Sequence, residues 1–569
     1  MLGLLTSLFY FCLLFSLATS SAAENDAVVV TSSGPVKGKR LLVDSGTVTA
    51  YLGIPYAEPP LGKLRFQKPH PHQPWSQVLE ANNYGNSCPQ FIFLGFPDAA
   101  IWAANTPLSE DCLFLNIWVP HPQPSTPAPV MVWIHGGGFI TGTASLDVYN
   151  GASLAATEKV IVVSLNYRLG VLGFLSLPPD APGNMGLLDQ QLALRWVKEN
   201  AAAFGGDPSR VTMFGHSAGA ASVGLHLLSP GSQPLFAQAV LQSGTPGAVW
   251  AWMSPEVAKQ RALALSQLLG CPQGNDSVVV SCLQQVEAAK FAPYELSKMA
   301  SELLLDLPFS PTTDGEFLPD EPQKLLGSGH IQAKSILIGA TANEGTTFVR
   351  YSFPEAVDGL LTWEQLLKAV KMTVRRATEP VIQAVALKYS EEDRGIARYR
   401  WAMSQLCSDY FFVCPVAEIA AKVAEAGNPV YAYLFTHHTP GSFWPEWIGA
   451  PHGAELPYLF GTLASVLRPN QTYTEAEAAL SRKMMRYWAG FARNGNPTGS
   501  AASEVQWPLY NATEQNFFHL GTEPPQVVQT SPARYCGFLE AQKAAQPNKA
   551  KGDPVSPSKE EDGKESITE

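Results

Sequence analysis

The sequence predicts an α/β fold in which a mostly parallel central sheet is flanked by helices. Three short apolar runs at 130–134, 211–214 and 335–339 support this prediction, because each reads as a buried strand that leads into a glycine-containing turn. Unbroken apolar runs of this length are typical of parallel strands covered on both faces. No linker-like stretch interrupts residues 30–535, so we expect a single domain over residues 24–540.

The turn after the run at 211–214 carries a reactive side chain. Residues 215–219 read Gly-His-Ser-Ala-Gly, the G-x-S-x-G pattern of a nucleophile elbow when it follows a strand. The two glycines allow a turn too sharp for side chains, so the hydroxyl of Ser217 stands clear of the sheet while the next helix points its amide dipole toward it. The pattern predicts acyl transfer, but it also recurs by chance and needs partners.

The run at 130–134 leads into a second glycine-rich turn, His-Gly-Gly-Gly-Phe at 135–139. Enzymes that attack esters with a serine use such a loop to stabilise the negative oxygen of the tetrahedral intermediate. We expect the backbone amides of Gly137, Gly138 and Ala218 to donate to that oxygen. A flexible turn or a phosphate-binding loop is the alternative, but no Lys-Ser or Lys-Thr pair follows the glycines as in a phosphate loop.

The base should be a histidine late in the chain, because the order in such folds is serine, acid, histidine. His452 fits best, since it lies in a glycine-flanked turn at 449–455 that would place an imidazole above a rigid sheet. His437 and His438, which follow a strand-like segment, are the alternatives. A structural role for an isolated histidine also stays open.

The acid should follow a strand, and Glu344 comes shortly after the apolar run at 335–339. A carboxylate there would accept the second imidazole proton, fix the tautomer and stabilise the imidazolium. Asp314 is a rival that could equally be a turn residue, and Glu344 could be a solvated loop residue.

These segments together resemble the type-B carboxylesterases and, within that family, the cholinesterases. Residues 204–219 match the family's active-site signature, residues 110–120 match its second signature, and the likeness extends over roughly 27–540. The resemblance implies an α/β-hydrolase fold in which long loop insertions form an active-site gorge. It assigns the nucleophile, acid and base to Ser217, Glu344 and His452, and the oxyanion hole to Gly137, Gly138 and Ala218.

The resemblance also implies substrate-binding side chains. Trp102 matches the position at which cholinesterases hold a quaternary ammonium against an aromatic face, and Trp444, Tyr149 and Glu455 match other gorge positions. Either tryptophan could instead pack a loop. Together at family spacing they favour a pocket that accepts cations.

The acyl side of the predicted pocket is roomy. Leu305, Leu307 and Phe309 align with the acyl-pocket segment, where two bulky aromatics would restrict the substrate to acetyl esters. Leucines leave more space, so we expect butyryl-sized or larger acyl groups to be accepted. A hydrophobic pocket discriminates one methylene by only about 1–3 kcal/mol.

Two residues depart from the cholinesterase pattern. The residue before the nucleophile is a glutamate in cholinesterases, but here it is His216. This change removes a charge that would stabilise a choline headgroup, and a protonated imidazole would repel it. Thr347 stands where these enzymes usually have an aromatic or aliphatic wall. These two departures leave choline-ester hydrolysis as an open alternative. They do not affect the expectation of general ester hydrolysis.

Both termini indicate a secreted protein. Residues 1–23 read as a signal peptide, with an apolar run at 2–17 and small residues after it, and no later stretch has the length of a membrane span. The polar tail at 541–569 should be disordered. It resembles neither the tetramer-forming helix nor the lipid-anchor signal of cholinesterases, so we expect no membrane anchor and a monomer or homodimer.

Eight cysteines and three glycosylation sequons fit the same compartment. Seven cysteines lie beyond the signal, and spacing alone leaves their connectivity open. The family resemblance suggests Cys88 with Cys112, Cys271 with Cys282, and Cys414 with Cys536. Cys407 is left over as a buried thiol. The sequons, at which glycans are expected, are Asn275, Asn470 and Asn511.

The overall charge limits the classes of partner. A formal net charge of −11 and a pI near 5.5 argue against nucleic acid and mildly favour cationic substrates. We expect a secreted serine carboxylic-ester hydrolase that acts on small esters through an acyl-enzyme, without a metal or other cofactor. A true cholinesterase, a lipase and a non-catalytic adhesion protein are the alternatives.

Overall fold

The computed structural model describes residues 28–92, 97–297, 301–329, 331, 334–499, 505–527 and 531–544. In this part of the chain, sixteen strands form three sheets. The strands are β1 (Val28–Thr31), β2 (Gly34–Lys37), β3 (Lys39–Val43), β4 (Gly46–Pro55), β5 (Leu79–Glu80), β6 (Phe114–His121), β7 (Ala128–Ile134), β8 (Ile161–Leu165), β9 (Ser176–Leu177), β10 (Ala181–Pro182), β11 (Gly206–His216), β12 (Gln238–Gln242), β13 (Ile336–Thr341), β14 (Val430–Phe435), β15 (Phe518–Leu520) and β16 (Gln526–Val527).

The central sheet has eleven strands in the order β16-β15-β14-β13-β12-β11-β7-β8-β6-β4-β3. The seven strands from β15 to β8 run parallel to their neighbours, while β16 at one edge and β6, β4 and β3 at the other are antiparallel. The three apolar runs that predicted strands lie in β7, β11 and β13. The prediction of a mostly parallel α/β sheet is therefore confirmed.

Helices cover both faces of this sheet. The α-helices are α1 (Pro97–Ala100), α2 (Ala152–Glu158), α3 (Gly170–Phe174), α4 (Met185–Asn200), α5 (Ala218–Leu228), α6 (Pro255–Leu268), α7 (Asp276–Leu283), α8 (Phe291–Ser297), α9 (Pro322–Gly327), α10 (Thr346–Ser352), α11 (Trp363–Thr373), α12 (Glu379–Tyr389), α13 (Arg398–Ser408), α14 (Cys414–Glu425), α15 (Leu456–Phe460), α16 (Glu475–Asn494) and α17 (Cys536–Ala544). A π-helical turn at Asp409–Val413 joins α13 to α14.

The sheet divides the hydrophobic core into two layers, because successive side chains of a strand point to opposite faces. In β7, Val130, Val132 and Ile134 belong to one layer, which also holds α4 and α5. Met131 and Trp133 belong to the other layer, which holds α2, α15 and α16. All five side chains are at most 1% exposed, which explains why the run is apolar without alternation.

The parallel strands bring the sequence motifs to one edge of the sheet. The glycine-rich turn follows β7, Ser217 follows β11, Glu344 lies three residues after β13, and His452 lies in the loop between β14 and α15. Carboxyl ends of parallel strands meet at the same edge, which is where ligand sites form in such sheets.

Three disulfides cross-link the described part of the chain. The three disulfides pair Cys88 with Cys112, Cys271 with Cys282, and Cys414 with Cys536, as expected, and Cys407 is a buried free thiol. The predicted signal peptide lies outside the described residues, as does most of the predicted disordered tail at 541–569; its first four residues, 541–544, instead belong to α17. None of the described helices combines the length and hydrophobicity that crossing a bilayer requires.

Candidate active site

The turn that presents Ser217 is strained. Ser217 has a φ of +58° and a ψ of −123°, and it stands between the end of β11 and the start of α5. A Cβ added to Gly215 would lie 2.6 Å from the carbonyl group of Gly219, and one added to Gly219 would lie 2.0 Å from the carbonyl oxygen of Ile134. Both positions therefore require glycine. The amide of Ser217 donates to the carbonyl oxygen of Gln242 at 2.8 Å, which ties the strained residue to β12.

His452 is paired with Glu344 through its Nδ1 atom. The distance from Nδ1 to Oε2 of Glu344 is 2.5 Å. The Glu344 side chain is fully buried, and its Oε1 accepts hydrogen bonds from the hydroxyl of Ser243 at 2.5 Å and from the amide of Thr341 at 2.8 Å. This carboxylate is thus fixed in place, and it leaves Nε2 as the His452 nitrogen that can act on a substrate.

Two rings pack against the His452 imidazole, both in tilted arrangements. The ring of Phe412, from the π-helical turn, has its centroid 4.6 Å away, and the ring of His216 has its centroid 4.3 Å away. The His452 side chain is still 21% exposed. Its orientation is therefore set on several sides while its edge is left open to a substrate.

The glycine-rich turn supplies backbone donors. Gly137 has a φ of +114° and Gly138 a φ of +60°. The Gly137 carbonyl oxygen accepts hydrogen bonds from Ile140 and Thr141 and closes the turn. Among the described residues, the backbone N–H groups of Gly137, Gly138 and Ala218 have no hydrogen-bond acceptor. They are therefore available to donate hydrogen bonds to an oxyanion.

A cavity of about 250 Å³ brings these groups together. Of the predicted site residues, it is lined by Ser217, His452, Gly137, Gly138, Trp102, Trp444 and Leu305. It is also lined by four aromatic residues that the sequence analysis missed, namely Trp250, Phe348, Tyr351 and Phe412. The described part of its wall contains no aspartate, glutamate, lysine or arginine, so its surface is apolar apart from two imidazoles, hydroxyls and backbone.

The other two predicted acyl-side residues, Leu307 and Phe309, do not line the cavity. A Cβ added to Gly138 would contact Cδ2 of Leu307 at 3.4 Å, so Leu307 packs against the glycine-rich turn. Phe309 is fully buried in the core. Leu305 therefore lines the cavity, whereas Leu307 and Phe309 do not.

The environment of His216 disfavours the protonated imidazole that would repel a cation. The residue is only 5% exposed. This burial, reinforced by the neighbouring His452, holds the pKa of His216 well below its ordinary value of 6.5. Its Nε2 atom is buried and has no hydrogen-bond partner in the described chain. The residue is thus a neutral polar group in the cavity wall.

Glu455 lies close by but does not line the cavity. It is fully buried, and its Oε1 accepts a hydrogen bond from Nε2 of Gln242 at 3.1 Å, while its Oε2 finds no partner among the described residues. Burial, followed by the charge of Glu344, raises the pKa of Glu455 from 4.5 to about 7. The same Gln242 accepts the Ser217 amide, so Glu455 is connected to the nucleophile by β12.

The rival residues have other partners. Nε2 of His437 pairs with Glu477 at 3.1 Å, and Nδ1 of His438 pairs with the carbonyl oxygen of Gly449 at 2.8 Å. Asp314 accepts two backbone amides in its own turn. The geometry favours His452 and Glu344 over these rivals. The described residues contain no group of three histidine, cysteine or acidic side chains placed to hold a metal ion.

Comparison with known proteins identifies the family of this chain. The profile of the carboxylesterase family matches residues 25–539. The chain belongs to the carboxylesterase family. It is 43% identical to an acetylcholinesterase of Bungarus fasciatus over 93% of this chain and 88% of that protein, and 44% identical to a cholinesterase of Mus musculus over 91% and 87%. This carboxylesterase is therefore similar to the cholinesterases over almost its whole length.

Proposed function

We propose that this carboxylesterase is a secreted serine hydrolase that cleaves small carboxylic esters through an acyl-enzyme. Ser217 is the nucleophile, His452 the base and Glu344 the acid. The observation that carries the proposal is the shared cavity, where Ser217, His452 and the amides of the glycine-rich turn meet while Glu344 holds His452 from behind. The three disulfides support the secretory pathway.

The reaction has two steps. Nε2 of His452 takes the hydroxyl proton as Ser217 attacks the ester carbonyl carbon, and the tetrahedral oxyanion accepts hydrogen bonds from the amides of Gly137, Gly138 and Ala218. The intermediate collapses, and His452 returns the proton to the leaving alcohol. Water then repeats the sequence on the acyl-enzyme and releases the acid.

The cavity determines the range of substrates. Leu305 borders the acyl side, and a leucine there leaves space for butyryl or larger chains. Trp102 and Trp444 border the cavity as apolar walls for the alcohol. A choline ester is the second candidate substrate, supported by Trp102 and by the similarity to proteins named acetylcholinesterase and cholinesterase.

The exposed asparagines support glycosylation in the secretory pathway. Asn275, Asn470 and Asn511 are all solvent-exposed in the structure. We propose them as glycan attachment sites. A mobility shift on treatment with a peptide N-glycosidase, lost stepwise when each asparagine is replaced by glutamine, would test this.

The test of the hydrolase proposal is the kinetics of Ser217→Ala on a butyryl thioester. The loss of kcat should be at least about 10⁴-fold, because nucleophile removal leaves only binding and the oxyanion hole. The exposed Ser209 provides a matched serine-to-alanine control that should retain activity. A Ser217→Ala variant as active as the Ser209→Ala control would refute the assignment.

A further inference from the structure

His216 occupies an unusual place for a side chain that the reaction described above does not use. It directly precedes the nucleophile, lines the same cavity, and its ring lies tilted against that of the proposed base, with centroids 4.3 Å apart. Its Nε2 is buried without a partner in the described chain, which is costly unless a ligand or water meets it. These observations indicate a role toward the substrate.

His216 lies beside Trp102, on the side of the cavity proposed above for the alcohol. A Cβ added to Gly453 would contact the Trp102 ring at 3.3 Å and the His216 ring at 3.3 Å from Cε1 and 3.5 Å from Nε2. The two rings thus flank the same glycine. A leaving group that lies on the Trp102 face is consequently next to His216, whereas Leu305 lies on the acyl side.

The charges around this position disfavour a cation. The described lining of the cavity has no carboxylate, and the nearby Glu344 is already paired with His452. Glu455 is fully buried and does not line the cavity. A quaternary ammonium that binds on Trp102 would lose its hydration shell and gain contacts only with an aromatic face and a neutral imidazole. No negative charge in the described cavity wall would compensate for the lost hydration.

His216 is not suited to act as a second base. Its imidazole is buried and packs against His452, so two positive charges would be forced together if both rings took a proton. A neutral imidazole can instead offer one hydrogen-bonding nitrogen to a polar atom of an uncharged alcohol.

We infer that His216 is a specificity-determining residue that makes the alcohol side of the cavity selective for esters of uncharged alcohols over choline esters. The inference rests on the proposed hydrolase function and names the substrate class of the same site. A carboxylate at position 216 would supply the missing counter-charge, while an uncharged amide would not.

The experiment compares butyrylthiocholine with its uncharged isostere, S-(3,3-dimethylbutyl) thiobutyrate, in which carbon replaces the ammonium nitrogen. For the natural protein, kcat/KM on the neutral ester should equal or exceed that on the charged one. His216→Glu should raise the charged-to-neutral ratio at least ten-fold. His216→Gln, which matches the glutamate in shape, should leave the ratio within about three-fold of the natural protein. If His216 had only a structural role, both variants would change kcat/KM for the two substrates by the same factor.

A binding measurement decides the inference when a variant fails to fold or turn over. Calorimetry on the natural protein should find that choline binds no more tightly than 3,3-dimethyl-1-butanol. Tighter binding of choline than of this alcohol, or an unchanged ratio in an active His216→Glu variant, would overturn the inference. Neither result would affect the hydrolase proposal, which depends on Ser217→Ala.

Discussion

Replacing the buried Glu455 with glutamine should stabilise the protein at pH 8 much more than at pH 5. Glutamine resembles the protonated carboxyl group, can still accept the hydrogen bond from Gln242, and carries no charge at any pH. The variant therefore removes the cost of ionising a group that burial and Glu344 keep protonated up to about pH 7.

The sign and size follow from the pKa of Glu455, which is about 7 in the folded protein against an ordinary value of 4.5. Between these values the unfolded chain releases the proton and the folded chain keeps it, so stability falls as the pH rises. At 1.36 kcal/mol per pKa unit, the natural protein should lose about 2.5 kcal/mol through this group between pH 5 and pH 8. Glu455→Gln should lose none of it.

The assay is the thermal midpoint of unfolding at pH 5 and pH 8, at one heating rate. A chain of this size has an unfolding entropy of roughly 1 kcal/mol/K, so the variant should gain about 2 °C more at pH 8 than at pH 5. The exposed Glu514 gives a matched glutamate-to-glutamine control, expected to show no such difference. A Glu455→Gln gain at pH 8 no larger than at pH 5 would refute the reasoning.

Three further substitutions test the site. Glu344→Gln should lower kcat by about 10³–10⁴-fold, because the wrong imidazole tautomer is favoured at His452, and steady-state kinetics would measure it. Gly137→Ala should cost at least about 10²-fold in kcat on the same assay, since a methyl group 2.1 Å from the Thr141 carbonyl oxygen distorts the oxyanion donors. Leu305→Phe should shift the butyryl-to-acetyl ratio of kcat/KM toward acetyl by about ten-fold or more. An unchanged kcat for either of the first two, or an unchanged ratio for the third, would contradict the assigned role.

The sequence predicted the parts of the site that local patterns encode. The strand before the Ser217 elbow and the strand before the glycine-rich turn are continuous apolar runs, and both positions of the elbow glycines are constrained by backbone contacts under 3 Å. Strand-end motifs of this kind are readable because a parallel sheet requires buried strands and short, specific turns.

The aromatic walls could not be predicted in the same way. Trp250, Phe348 and Phe412 come from segments far apart in the chain, and an aromatic residue in a helix or loop looks the same whether it packs a core or lines a cavity. Phe412 lies in a π-helical turn, which is a local irregularity that the hydrophobic periodicity of the sequence does not predict. Only the fold brings these rings to the edge of the sheet where His452 lies.

The charge state of His216 could not be predicted from the sequence either. An isolated histidine titrates near neutral pH, so the sequence alone left both the neutral and the protonated imidazole open. In the fold, burial and the second imidazole of His452 keep it neutral, so the residue removes a counter-charge without adding a positive one. The elevated pKa of Glu455 likewise arises from burial among residues distant in sequence.

The central claim is that Ser217 is the nucleophile of an acyl-enzyme. Incubation with diisopropyl fluorophosphate, followed by peptide mass spectrometry, tests it most directly because the probe forms a stable adduct with an activated serine. We expect a single adduct on the peptide that contains Ser217, parallel loss of esterase activity, and no adduct in Ser217→Ala. Full inhibition with the adduct on another residue, or hydrolysis that persists in Ser217→Ala, would contradict it.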